Sequence, residues 1–163
     1  MLRKIEINNF KSFEHAEFDL KNFTLLAGRN SMGKTSVIQA IFAMIQNGKN
    51  PFRGEYMNIG KVQEVKNAIT GNGDIEFKIC YKTSEKEIEA SKVITKEGVS
   101  ESGEVDKLIN VIYCSSDRIG IEDTYKKYLG DKIIIGKNCE YVFHYLNAHD
   151  EDQMDPDRAF VYD

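Results

Sequence analysis

Residues 23 to 42 read FTLLAGRNSMGKTSVIQAIF, and the reading of this stretch decides the fold. The apolar run Phe23-Thr24-Leu25-Leu26-Ala27 predicts a strand buried on both faces. It leads into Gly28-Arg29-Asn30-Ser31-Met32-Gly33-Lys34-Thr35, which satisfies G-x-x-x-x-G-K-[ST], the phosphate-binding P-loop. A phosphate chain needs backbone N–H groups pointing at it, and side chains at the tight positions would block that approach. Gly28 and Gly33 supply positive φ and close backbone approach. The helix that follows adds the partial positive charge of its N-terminus. In this motif Lys34 reaches the β- and γ-phosphates, and the Thr35 hydroxyl binds Mg²⁺.

With glycine near 7% of ordinary sequences, the pattern arises by chance in roughly one chain of this length in a few hundred. Its setting between an apolar run and a helical pattern narrows it further. After Thr35, the apolar residues Val37, Ile38, Ala40, Ile41, Phe42, Met44 and Ile45 cover more than one helical stripe, which predicts a helix buried on several sides. It is expected to run from Lys34 to about Gln46 and to stop at Asn47-Gly48-Lys49-Asn50-Pro51.

A length of 163 residues predicts one domain with a substantial core. Charged residues make up 29% and hydrophobic ones 41%, an ordinary globular balance. No run approaches transmembrane length, and the first residues lack an apolar signal-peptide stretch, which places the chain in the cytoplasm, away from membranes. Cys80, Cys114 and Cys139 are odd in number and widely spaced, as reduced thiols would be. The net charge of −4 is uneven: six acids against Arg158 give residues 149–163 a charge of −5, leaving +1 on the remainder. Residues 1–148 are therefore taken as one lobe and 149–163 as an acidic, solvated tail or the start of a further segment. This distribution gives no whole-chain case for nucleic-acid binding.

Alternation at Ile5 and Ile7, and at Ala16, Phe18 and Leu20, predicts two half-buried strands, antiparallel to each other, ahead of the P-loop. Past the first helix, residues 52–60 read as a loop, residues 62–69 as a short helix, and Thr70-Gly71-Asn72-Gly73-Asp74 as a turn. Ile75, Phe77, Ile79 and Tyr81 define an amphipathic strand that turns back into Lys86–Thr95, a hairpin with one wet face. Residues 96–103 read as a loop and Leu108–Cys114 as a second buried strand. Asn138 is placed to cap a helix with Cys139, Val142, Phe143 and Leu146 on one face.

Ile5-Glu6-Ile7-Asn8-Asn9-Phe10-Lys11-Ser12-Phe13, followed by Leu25-Leu26-Ala27-Gly28-Arg29-Asn30 and by Gly33-Lys34-Thr35-Ser36 through Ile41, resembles the ABC-type ATPase heads of the SMC, RecF and OLD-nuclease branch and their bacterial AAA-family relatives. The phrase Asn9 to Phe13 with the P-loop is more restrictive than the P-loop alone. Residues 54–60, 116–120 and 136–141 resemble the same group less specifically. The resemblance implies an α/β fold of ABC-head type, a mixed sheet with an antiparallel β-subdomain packed on the P-loop helix. It implies ATP and Mg²⁺ as ligands, with Gly28 through Ser36 cradling the nucleotide, Lys34 as the catalytic residue and Thr35 on the metal. It also implies a dimer that closes on ATP, with a second copy or a second head segment as partner.

The chain departs from that pattern. Arg29 stands where relatives often have Pro, and Met32 where they have a small residue. A signature motif, a Walker B strand ending in Asp-Glu and a switch His are not recognisable. Val111 to Asp117 imitates a Walker B strand, but two serines and an arginine flank its acid. These residues are therefore read as the N-terminal part of a head. Gln63 follows the first helix roughly where a Mg²⁺-sensing glutamine would stand. His15, His144 and His149 have no metal-ligand spacing, and Tyr125-Lys126-Lys127-Tyr128 is too short for a nucleic-acid platform. Two other functions are weighed against an ATPase: a nucleotide-gated interaction module without turnover, and a P-loop kinase, which the lack of an Arg-rich lid disfavours. DNA or an attached nuclease as a downstream partner is not legible.

Overall fold

In the computed structural model the described residues are 1–54, 56–70, 73–83, 86–103, 113, 125–130, 135 and 139–149. The elements are β1 (Leu2–Phe10), β2 (Phe13–Asp19), α1 (Lys34–Ile45), α2 (Val62–Val65), β3 (Ile75–Lys82), β4 (Glu87–Ile94), β5 (Val99–Ser102) and α3 (Val142–Ala148). The strands form one five-stranded sheet in the order β2-β1-β3-β4-β5, and every pair in it is antiparallel. The chain divides into two compact units, Met1–Ile109 and Asn110–Asp163.

Strand alternation sets the two faces of the sheet. One transverse row brings Phe18, Ile5, Ile79 and Ala90 side by side, and the next brings Ala16, Ile7, Phe77 and Lys92. Ile5, Ile7, Phe77 and Lys92 are 0% exposed, so this face is the core, and α1 packs against β1. Phe10 stacks on Phe52 at 5.5 Å and meets Phe77 edge-on at 5.2 Å, closing the core over the 51–57 loop. The opposite face carries a ladder of ion pairs: Lys4–Glu17 at 2.6 Å, and Lys78 with Glu6 at 3.6 Å and Glu76 at 3.4 Å. Cys80 lies on that face, where the Glu87 carboxylate that its thiol donates to, with burial, pushes its pKa up to about 11.

Helix α1 ends one residue before Gln46, which acts as C-cap and then organises the loop beyond. Its Nε2 donates to Pro51 O at 2.6 Å, and its Oε1 accepts from the N–H groups of Tyr56 and Met57. Lys92 reaches the same place from β4, donating to Gln46 O at 2.8 Å and pairing with Glu101 of β5 at 2.9 Å. Lysine on the core face of a strand is tolerated because both its charge and its donors are satisfied.

Four expectations are corrected. Residues 23–27 are not a buried strand: they have no ladder partner among the described residues, and Phe23 and Leu25 are 73% and 74% exposed. An apolar run makes burial favourable, but a neighbouring strand must supply it, and the described sheet ends at β2. The 62–69 helix stops at Val65, because Asn67 Oδ1 takes the N–H groups of Ile69 and Thr70 away from a helical ladder. Residues 99–102 are strand β5 and not loop: they pair antiparallel with Ser91–Ile94 across a turn closed by Thr95 N–H donating to Gly98 O at 2.9 Å. Helix α3 begins at Val142, not at Cys139, which has φ 60°, and it buries none of its residues, with Phe143 47% exposed. Leu108–Ile112, Cys114, Asp117, Asn138 and residues 150–163 lie outside the described residues.

Candidate functional site

Between β1 and β2 the chain reverses in two residues, Lys11 and Ser12, with Phe10 paired to Phe13. This turn leans on the P-loop. A Cβ added at Gly33 would lie 2.6 Å from Phe13 Cζ and 3.0 Å from Ser12 Oγ, so only glycine admits the approach. Gly33 has φ 89° and serves as N-cap of α1. Ser31 also has positive φ, which folds the loop back on itself.

The result is a cleft of about 340 Å³. Asn30, Ser31, Gly33, Lys34, Thr35 and Ser36 line it from the P-loop side, and Lys11 and Ser12 from the hairpin side. The first turn of α1 contains no acidic residue, and no side chain caps its N-terminus. The leading N–H groups of the helix are thus left for a ligand, and the helix dipole favours an anion there. Lys34 Nζ donates to the carbonyls of Gly28 and Arg29 at 2.7 and 2.6 Å, lying across the loop it belongs to. Lys11 Nζ donates to Gln39 Oε1 of α1 at 2.7 Å, and burial lowers its pKa from the ordinary lysine value. No carboxylate lines the cleft among the described residues.

The structure thus brings Asn30 through Ser36, Met32 excepted, to one cavity. Gly28 and Arg29 contribute carbonyls to Lys34, while Met32 is 68% exposed outside the lining. Gln63 stands exposed on α2 and does not line the cleft. Lys11 and Ser12, which the sequence offers only as part of the Asn9-to-Phe13 phrase, also line the cleft. The signal was there, since a two-residue turn between paired strands projects its side chains at the hairpin tip.

An uncapped helix start, a glycine-framed loop and two lysines around one cleft make a setting whose chemistry suits an anion. The AAA ATPase domain family matches residues 1–159. The chain belongs to that family. Among solved structures, this AAA ATPase domain is similar to the SMC head domain from Thermotoga maritima, with 19% identity over 67% of this chain and a TM-score of 0.45. The chain spans 41% of that head's length. No curated protein matches it by sequence. Among the described residues no helix is long and apolar enough to cross a membrane.

Proposed function

We propose that the chain binds Mg–ATP in the cleft between the P-loop and the Lys11-Ser12 turn, as the N-terminal part of an ATP-hydrolysing head that dimerises on ATP. The observation that carries this reading is that Lys11 and Lys34 line one cleft together with the uncapped start of α1. Family membership supports nucleotide binding.

The residues present fit the ligand. Gly28 and Gly33 leave room for the phosphates, and the backbone N–H groups of residues 30–35 supply the donors. Lys34 exchanges its two carbonyl partners for β- and γ-phosphate oxygens, a charge-assisted bond stronger than either bond it leaves. Thr35, exposed at the cleft, offers its hydroxyl to Mg²⁺, which neutralises phosphate charge when bound. Lys11 adds a second ammonium on the opposite wall, and Lys34 stabilises charge on the transferred phosphoryl oxygens. A group to activate water has to come from outside the described lining, such as a second head segment or a second copy. A cytoplasmic location goes with this reading.

The lack of a carboxylate at the described cleft also favours a second reading, a module gated by nucleotide without turnover. Sedimentation with and without Mg–ATP, with phosphate release followed in the same samples, separates the two. An ATP-dependent dimer that releases phosphate supports the head. An ATP-dependent dimer that retains ATP supports the gated module. A monomer under saturating Mg–ATP rejects the dimerisation in both.

A further inference from the structure

Lys11 has φ 50°, a left-handed conformation that a lysine keeps only where its surroundings hold it. One segment holds both of its backbone polar groups. Its N–H donates to Val65 O at 2.8 Å, and its carbonyl accepts from Asn67 Nδ2 at 2.9 Å. Asn67 is 3% exposed and fully engaged: its N–H donates to Asn9 O at 3.2 Å, and its Oδ1 accepts from Ile69 and Thr70 at 2.8 and 3.1 Å. Asn9, also left-handed at φ 55°, is pinned by the same stretch, its amide donating to Gly73 O and accepting from the Thr70 hydroxyl. A two-residue hairpin turn itself calls for positive φ at its first central residue, and here an external scaffold is added to it, at the turn that lines the cleft.

We infer that Asn67 is a positioning residue for phosphate binding, acting through Lys11 by fixing the β1–β2 turn that lines the cleft. This rests on the Mg–ATP reading of the cleft. The Asn67–Lys11 bond and the cost of a left-handed lysine are of comparable size, so loss of the bond frees Lys11 to relax. By linkage, phosphate bound at Lys11 tightens residues 65–70 in return.

The test measures Mg–ATP affinity of the full chain for the unmodified protein, Asn67→Asp, Lys11→Ala and the double variant. Aspartate keeps the oxygen that caps Ile69 and Thr70 and removes the donor to Lys11 O; Asn67→Ala repeats the loss without adding a charge. Each single variant is expected to bind roughly tenfold more weakly, with no further loss in the double variant. Unchanged affinity in Asn67→Asp and Asn67→Ala, or losses that multiply in the double variant, overturn the inference. Hydrogen exchange on the unmodified chain gives a readout that no folding defect can blur. Mg–ATP should slow exchange at the Lys11 and Asn67 amides, and unaltered exchange at both overturns the inference. Absence of Mg–ATP binding by the unmodified chain overturns the cleft reading and this inference with it, an outcome distinct from normal affinity that the Asn67 variants leave intact.

Discussion

Gly33 is required for two reasons at once. Its φ of 89° disfavours any side chain, and a Cβ there would run into Phe13 and Ser12. Gly28 has φ 148° with open space around its missing Cβ. Gly33→Ala should therefore destabilise by about 1–3 kcal/mol, read from the urea midpoint, and weaken Mg–ATP binding, while Gly28→Ala costs less stability. The P-loop motif reads residue by residue in the sequence because its spacing is local. The Phe10-Lys11-Ser12-Phe13 phrase was legible only as a phrase. Its physical meaning, a ring and a hydroxyl laid against Gly33, depends on a hairpin meeting a loop some twenty residues further on. Lys11 carries a pH signature as well. Burial disfavours its charged form, so its ammonium loses its proton at a lower pH than an ordinary lysine. Mg–ATP affinity should begin to fall on the alkaline side earlier in the unmodified chain than in Lys11→Arg, whose guanidinium stays charged; coincident titrations would remove Lys11 from the site.

Among the elements, β4 and β5 show what alternation alone leaves out. Period-two alternation placed the β3–β4 hairpin correctly, but a lysine at position 92 suggests a wet position, and the structure buries it completely. Its stem fills the core row beside Phe77 while its ammonium closes the end of α1 and pairs with Glu101 on the neighbouring strand β5. Lys92→Met keeps the volume but leaves Gln46 O without this donor. It should cost about 1–3 kcal/mol in urea denaturation, and an unchanged midpoint would show the ammonium to be dispensable. On the outer face, Glu6 accepts from Asn8 Nδ2 at 2.9 Å and lies near Lys78, and both hold its pKa below the ordinary carboxylate value. Because the folded value is the lower one, Glu6 stabilises fully above the unfolded carboxylate pKa, and this is lost as pH falls through the folded value. Glu6→Gln should flatten the acid side of the stability profile, and an identical acid slope would contradict this. The 23–27 stretch is the counterexample to local reading, since an apolar run says what a segment would bury but not whether a neighbour is there to bury it.

At the scale of the molecule, an antiparallel sheet with one charged face carries the P-loop helix on its apolar face, and its hairpin tip closes over the start of that helix. The strands ahead of the P-loop, the helix and the β3–β4 hairpin follow from apolar periodicity, while the family resemblance was legible in the Asn9-to-Phe13 phrase joined to the P-loop motif. The cleft itself was not, because it is made by Lys11, Ser12 and α1 meeting in space. Calorimetric titration of the chain with Mg–ATP, beside the Lys34→Ala variant, tests nucleotide binding most directly. Saturable one-site binding, weakened at least tenfold by Lys34→Ala as for loss of a hydrogen bond to a charged group, is the predicted result. No binding to the unmodified chain, or equal binding by both proteins, would contradict it.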